Sequence, residues 1–287
     1  MRGFLWTATA LFVCGLFAMV LSQPLFAIPV EVGATVAAGQ RGTDRFSRGM
    51  QNFRTTLSPT ILHTVDADDF ESFHSAEGFL RLGIFDDESS YFGITIGQFV
   101  VPEQTIQEFR SDLAFTRLGL TFDIPYVMFT YHYVGELDFW RPLRRFQWEG
   151  GFGFGLVPTA RMRGEGYLIS PNQYLPYNIS QLSNQGTIAR LELGLRRYVT
   201  ESIFLRFGGR VTYAYLGQWG GTVNGGDGEF WYLRDGSITP LSGINAFAAP
   251  RTVFDQNLGF VQASVLKNPV EVPVGVTEFQ FSVGYHF

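Results

Sequence analysis

The sequence predicts an all-β fold of membrane-crossing strands, on three observations. Large apolar residues alternate with small or polar ones at period two, the signature of a strand with one greasy and one wet face. Most such segments run about 9–11 residues, the length of a tilted strand across a bilayer. The chain is 46% hydrophobic and 16% aromatic with 33 glycines, yet after residue 27 it has no apolar run long enough for a membrane helix. Two architectures accommodate this pattern. In a β-sandwich the apolar faces pack on each other. In a transmembrane antiparallel β-barrel they meet lipid and the polar faces line the lumen.

The segments follow in order. Val30, Val32, Ala34 and Val36 alternate with Glu31, Gly33 and Thr35. Leu80, Leu82 and Ile84 alternate with Arg81 and Gly83. Phe92, Ile94 and Ile96 alternate with glycine and threonine, and Leu118, Leu120 and Phe122 with Arg117, Gly119 and Thr121. Val127, Phe129, Tyr131 and Tyr133 face away from Thr130 and His132. Phe146, Trp148, Phe152 and Phe154 oppose Glu149, Gly151, Gly153 and Gly155. Ala189, Leu191, Leu193 and Leu195 oppose Arg190, Glu192 and Arg196. Ile203 to Tyr215 sets apolar residues against Arg206, Gly208 and Arg210. A weaker segment covers roughly 257–266, and the last begins near Gly275.

The last segment carries the strongest signal. Phe279, Phe281, Val283, Tyr285 and Phe287 fall on one face, and Gln280, Ser282, Gly284 and His286 on the other. An alternating strand that ends on an aromatic residue resembles the closing strand of bacterial outer-membrane β-barrel proteins, where this pattern is the assembly signal. At the other end, Arg2, the uncharged apolar run Phe4–Val20 and the small residue Ala27 read as a signal peptide over 1–27, with a cut after Ser22 as an alternative. A lipoprotein would acylate Cys14, but Val13 is too bulky for that processing. Signal peptide and terminal strand select the barrel over the sandwich, as one domain over 28–287. The resemblance implies Sec-type export, periplasmic chaperones and the β-barrel assembly machinery. It also implies a Gram-negative outer membrane whose lipid includes lipopolysaccharide.

Strand number follows from loops. Asp86–Ser90, Asp123–Tyr126 and Val199–Ser202 read as short turns, and 39–77, 158–186 and 217–256 as long loops. Ten segments leave two long loops on the wrong side. Extra strands near Ala160–Ile169 and Glu229–Arg234 restore the alternation. Twelve strands are therefore expected, with ten or eight as alternatives.

Net charge of −5 argues against a nucleic-acid binder, and Cys14 is the one cysteine, so the mature chain has no thiol chemistry. His63, Asp66, Asp68 and His74 form an acidic stretch that could hold a metal, although a solvated loop explains it as well. His74 and Ser75 are adjacent, so on a strand they point apart, and no nucleophile–base pair emerges. No enzyme activity, metal or cofactor is expected.

The polar faces place Arg81, Arg117, Arg190, Arg196, Arg206 and Arg210 in the lumen against Glu149, Glu192 and Glu278. Glycines 151, 153 and 155 widen it. A cation excess in a twelve-strand barrel suggests a porin-like channel for hydrophilic, preferentially anionic, solutes. The alternative is a closed barrel whose ions pair with one another and whose long loops act as adhesin, receptor or envelope stabiliser. An outer-membrane enzyme is a third reading.

Overall fold

The structure is a computed structural model. It describes residues 29–41, 45–55, 61–68, 72–84, 89–137, 145–183, 186–217, 219–242, 252–255, 259–262 and 266–287. The expected signal peptide and most of the Asp86–Ser90 turn lie outside these residues.

Eight strands form a closed antiparallel ring. Numbered in chain order, they are β1 (Val30–Arg41), β3 (Ser72–Gly83), β4 (Ser90–Arg110), β5 (Phe115–Glu136), β6 (Gln147–Val157), β9 (Gly186–Tyr198), β10 (Ile203–Leu216) and β17 (Val272–His286). Each pairs with the next around the ring in the order β1-β3-β4-β5-β6-β9-β10-β17, and β17 returns to β1. Closure leaves no ring edge unpaired. Both chain ends of the ring meet at one rim, where Glu31 lies opposite His286. The Val199–Ser202 turn is at this turn end, with Val199 N donating to Ile203 O at 2.8 Å.

The other rim, the loop end, carries a second structure. β4 and β5 are 21 and 22 residues long, about twice the bilayer-crossing length. Their distal halves extend the sheet beyond the ring. β2 (His63–Ala67) pairs with the far end of β4, and β7 (Ala160–Ser170) with the far half of β5. From β7 the sheet continues through β8 (Gln173–Ser183), β11 (Gly220–Val223), β12 (Gly226–Leu233) and β13 (Ile238–Ser242). β16 (Leu266–Pro269) also pairs with β12. Inside this extension sits the short helix α1 (Arg45–Gln51).

The barrel class is as expected, and the ring is eight strands rather than twelve for two reasons. Leu118–Phe122 and Val127–Tyr133 are one strand, β5, and Asp123–Tyr126 is its middle instead of a turn. Opposite Pro125, β5 changes neighbours: β7 pairs as far as Asp123, and β6 begins at Val127. A residue without an N–H fits that gap in the ladder. The strands expected near Ala160–Ile169 and Glu229–Arg234 exist as β7 and β12 but belong to the extension. The weak segment near 257–266 contributes β15 (Gly259–Gln262), which pairs with β14 (Thr252–Asp255) in a separate two-stranded sheet.

Inside and outside exchange character between the two halves. Around the ring, Phe92, Ile94, Phe129, Phe152, Phe154, Leu191, Leu193, Phe207, Phe279 and Phe281 are exposed on the outer face; Phe279 is 83% and Leu193 63% exposed. A soluble protein rarely exposes a contiguous apolar patch above a few hundred Å². A belt around every ring strand requires an apolar solvent, and the ring spans a membrane. In the extension the outer face carries charge, with Arg117, Arg161, Arg163 and Glu165 exposed. Its inner face is apolar: Leu118, Leu120, Ile124 and Met128 of β5 are buried with Phe46 and Met50 of α1 and with Phe53, Trp219 and Phe230. The expected lipid-facing row Leu118–Leu120–Phe122 is therefore an inward row, because this half of β5 stands in water. Gln98 Nε2 donates to Asp123 Oδ1 at 2.6 Å on the outer face, close to the change.

An ion-paired lumen beneath an apolar cap

The ring's inward positions are set by strand parity. β9 turns Arg190, Glu192 and Arg196 inward, β10 Arg206 and Arg210, β3 Ser75, Glu77 and Arg81, and β17 Glu278, Gln280 and Ser282. An eight-stranded ring is just wide enough for side chains to fill. These side chains meet across the lumen rather than lining a space.

One group of ion pairs centres on Glu149 of β6. Arg81 Nη1 lies 2.8 Å and Arg206 Nη1 2.9 Å from Glu149 Oε1. Arg196 Nη2 is 2.5 Å from Glu31 Oε1, and Arg81 Nη1 3.6 Å from Glu31 Oε2. The guanidinium of Arg196 also lies 3.8 Å from the centroid of the Phe204 ring. A second group centres on Glu77, which takes Arg190 Nη1 at 2.7 Å and Arg210 Nη1 at 2.8 Å. The hydroxyl of Tyr126 donates to Glu77 Oε2 at 2.7 Å, and Arg210 Nε donates to Glu278 Oε2 at 2.8 Å. Ser75 donates to Glu278 at 2.6 Å, and Arg210 Nη2 bonds the same serine. Arg206 also pairs with Glu192. His132 stands between two carboxylates, Nδ1 at 3.1 Å from Glu149 and Nε2 at 3.5 Å from Glu192, with no exposed surface.

Eight of the nine residues expected in the lumen are there. Arg117 is not; it lies on the outer face of the extension, opposite Gln107 and Tyr167. Two carboxylates missing from the expected set complete it. Glu31 was visible in the alternation of the first strand, on the face opposite Val30 and Val32. Glu77 fell within an expected long loop, although its even spacing from Arg81 places both on one face. With Glu31 and Glu77 included and Arg117 excluded, five ion-paired arginines, Arg81, Arg190, Arg196, Arg206 and Arg210, face five glutamates, and the expected cation excess shrinks to Arg41, buried near the loop end of β1 with Nη2 donating to Pro273 O at 2.7 Å.

Gly151, one of the three glycines expected to widen the lumen, instead admits a side chain, as does Gly97. A Cβ at Gly151 would stand 2.6 Å from His132 Nδ1, and one at Gly97 2.6 Å from the Tyr126 hydroxyl. Each glycine lets a neighbouring ring press against backbone.

The cap seals the loop end. α1 turns Phe46 and Met50 into the apolar cluster, and Phe46 meets Phe122 edge-on at 6.0 Å. After the helix, Thr55 N lies 3.0 and 3.1 Å from the two carboxylate oxygens of Glu108, and Thr55 Oγ1 donates to it at 2.6 Å. Burial raises the Glu108 carboxyl above its ordinary value despite these donors. His74 and Ser75 point apart as expected. His63, Asp66, Asp68 and His74 do not converge, and no cluster of three metal-ligating side chains occurs among the described residues. Asp68 instead accepts from Thr105 N at 2.8 Å.

The cap's outer face holds a row of rings. Phe109, Phe115, Tyr167 and Tyr174 follow one another across β4, β5, β7 and β8, with centroids 4.9, 6.1 and 5.7 Å apart. Leu113, at the tip of the β4–β5 hairpin, is 78% exposed beside them.

No protein-family model matches this chain, and no curated protein matches it. Solved structures similar to it include Neisserial surface protein A, at 12% identity over 91% of this chain and 98% of that one, with a TM-score of 0.38. The outer membrane protein OprG from Pseudomonas aeruginosa is 11% identical over 90% and 95%, with a TM-score of 0.36. The outer membrane protease OmpT from Escherichia coli is 7% identical over 91% and 96%, with a TM-score of 0.30.

Proposed function

We propose that this chain is an outer-membrane barrel with a closed lumen that acts through its loop-end cap, as adhesin, receptor or envelope-stabilising protein. The observation that carries the reading is the five-to-five pairing of buried arginines and glutamates inside an apolar-belted ring. Unpaired buried charge is costly, so mutually paired ions suit a filled core, and their pairing weakens any field that would attract anions. That favours the closed barrel over the porin-like channel. The cap supplies the working surface: an apolar core of its own and the outward row Phe109, Phe115, Tyr167 and Tyr174, of which Phe109 and Tyr174 are exposed. The turn end, where both termini of the ring lie, faces the periplasm, and the cap faces outward into lipopolysaccharide. Sec export, the assembly machinery and the signal sequence over 1–27 belong to the same reading.

Cysteine labelling tests the orientation, since Cys14 is the one native cysteine and lies within the proposed signal peptide. Leu113→Cys in the cap should react with a membrane-impermeant maleimide on intact cells. Glu201→Cys in the Val199–Ser202 turn should react only after permeabilisation. The reverse pattern overturns the orientation.

A further inference from the structure

Two arginines at the turn end behave unlike those of the lumen. Arg145 and Arg197 make no ion pair among the described residues, whereas each lumen arginine has a carboxylate partner. Both line a cavity of about 390 Å³ at the rim, with Glu136, Phe146, Gln147, Arg196 and Tyr198. That volume lies within the range of small-ligand sites, about 300–1,000 Å³.

The cavity also holds polar groups without hydrogen-bond partners. Arg196 is 1% exposed, and its Nε and Nη1 make no hydrogen bond, although Nη1 stands 3.9 Å from Glu149. Gln147 Oε1 is buried and unbonded as well. Burying such groups unpaired is unfavourable, so a ligand that accepts from guanidinium and donates to an amide oxygen would suit the site. Glu136 adds a carboxylate at the same rim, in ion pair with no described residue. The required ligand is therefore zwitterionic: an anion for Arg145, Arg197 and Arg196, and a hydrogen-bonding cation for Glu136 and Gln147.

Position narrows it further. Phe146 meets Phe207 edge-on at 6.0 Å, and Arg197 lies 5.5 Å over the Phe146 ring. Tyr133 packs on Trp148 at 5.3 Å nearby. Aromatic residues with adjoining arginines mark a membrane–water interface. We propose that this rim cavity binds the phosphoethanolamine head of a phospholipid. Its phosphate sits against Arg145, Arg197 and Arg196, and its ammonium against Glu136 and Gln147. The acyl chains run up the outer face past Phe207. Guanidinium suits phosphate through paired N–H donors. The assignment rests on the reading that the ring's outer face meets lipid.

Native mass spectrometry of the delipidated, refolded full-length mature barrel tests it, with phosphatidylethanolamine, phosphatidylglycerol and phosphatidylcholine as probes. Phosphatidylethanolamine should be retained about ten-fold better than phosphatidylcholine, the factor that one charge-assisted hydrogen bond supplies. Arg145→Ala with Arg197→Ala should lower retention of all three lipids together, and Glu136→Gln should reduce phosphatidylethanolamine to the level of phosphatidylcholine. These side chains are exposed at the rim, and heat-modifiable gel mobility checks that the variants fold. Equal retention of phosphatidylethanolamine and phosphatidylcholine, or retention left unchanged by the double arginine substitution, overturns the proposal. Soluble phosphoethanolamine displacing the lipid at equal concentration would reassign the site to a free small molecule; failure to displace it supports the lipid. A barrel that inserts into vesicles but shows no preference removes this inference alone. A chain that never inserts removes the membrane reading with it.

Discussion

Arg206 of β10 reaches across β9 to Glu149 of β6, with Nη1 2.9 Å from Oε1, and the same guanidinium pairs with Glu192. One cation thus ties three neighbouring ring strands together inside the membrane. Removing a single partner of a buried pair leaves an uncompensated charge, at a cost of about 3–5 kcal/mol. Arg206→Met should destabilise the barrel by that order in urea, read by heat-modifiable mobility. Adding Glu192→Gln should recover part of the loss, since the two substitutions are coupled. Additive losses would mean that the pair contributes nothing specific.

The two halves of the wall should reject opposite substitutions. Leu193 faces lipid, so Leu193→Arg should cost about 2–4 kcal/mol if it lies near the midplane. Leu118 packs in the cap core, so Leu118→Ala should cost about 2–5 kcal/mol. Its neighbour Arg117 is exposed, and Arg117→Gln should be near neutral. The measurement is urea unfolding in lipid vesicles. A large cost at 117 with a near-neutral effect at 118 would place the parity of β5 wrong by one residue.

The closing strand should govern assembly. Phe287 N donates to Val30 O at 2.9 Å, and the Phe287 ring packs on Tyr285 at 4.5 Å, where β17 returns to β1. Deleting Phe287 should leave secretion intact and lower the yield of protease-resistant barrel in the outer membrane. A normal yield counts against the assembly role.

Glu108 makes the cap sensitive to pH. Its carboxyl is raised in the folded state, so between the ordinary carboxylate value and the raised one the folded chain holds the proton that the unfolded chain has lost. The contribution is fully present below the ordinary value and falls away as pH rises through the raised one. Protease cleavage in the segment 45–55 should therefore quicken as pH rises from acid toward neutral. Glu108→Gln should flatten that slope; an unchanged slope in this variant would assign the dependence to another group.

The ring was legible in the sequence because lipid on one side and a polar core on the other impose period two on every strand. The cap was less legible because its strands obey the same period with the faces exchanged. Leu118 and Leu193 look alike in sequence, and only the neighbours of β5 show that one stands in water and the other in lipid. Asp123–Tyr126 carries the residues of a turn, but Pro125 occupies a ladder gap created by β6 and β7. The lumen was legible residue by residue, and eight of its nine expected members lie inside. Its balance was not, because Glu77 follows a stretch too polar to read as strand. The rim cavity joins Glu136 to Arg196 through strand pairing that no local pattern announces.

The closed lumen is the centre of this account, and planar-bilayer conductance of the purified, refolded barrel tests it most directly. The five-to-five pairing predicts no steady conductance at neutral pH in molar salt. Arg206→Met with Glu192→Gln, which thins the core, should be the variant in which current first appears. A steady, anion-selective current through the unmodified protein would contradict the closed barrel and restore the channel.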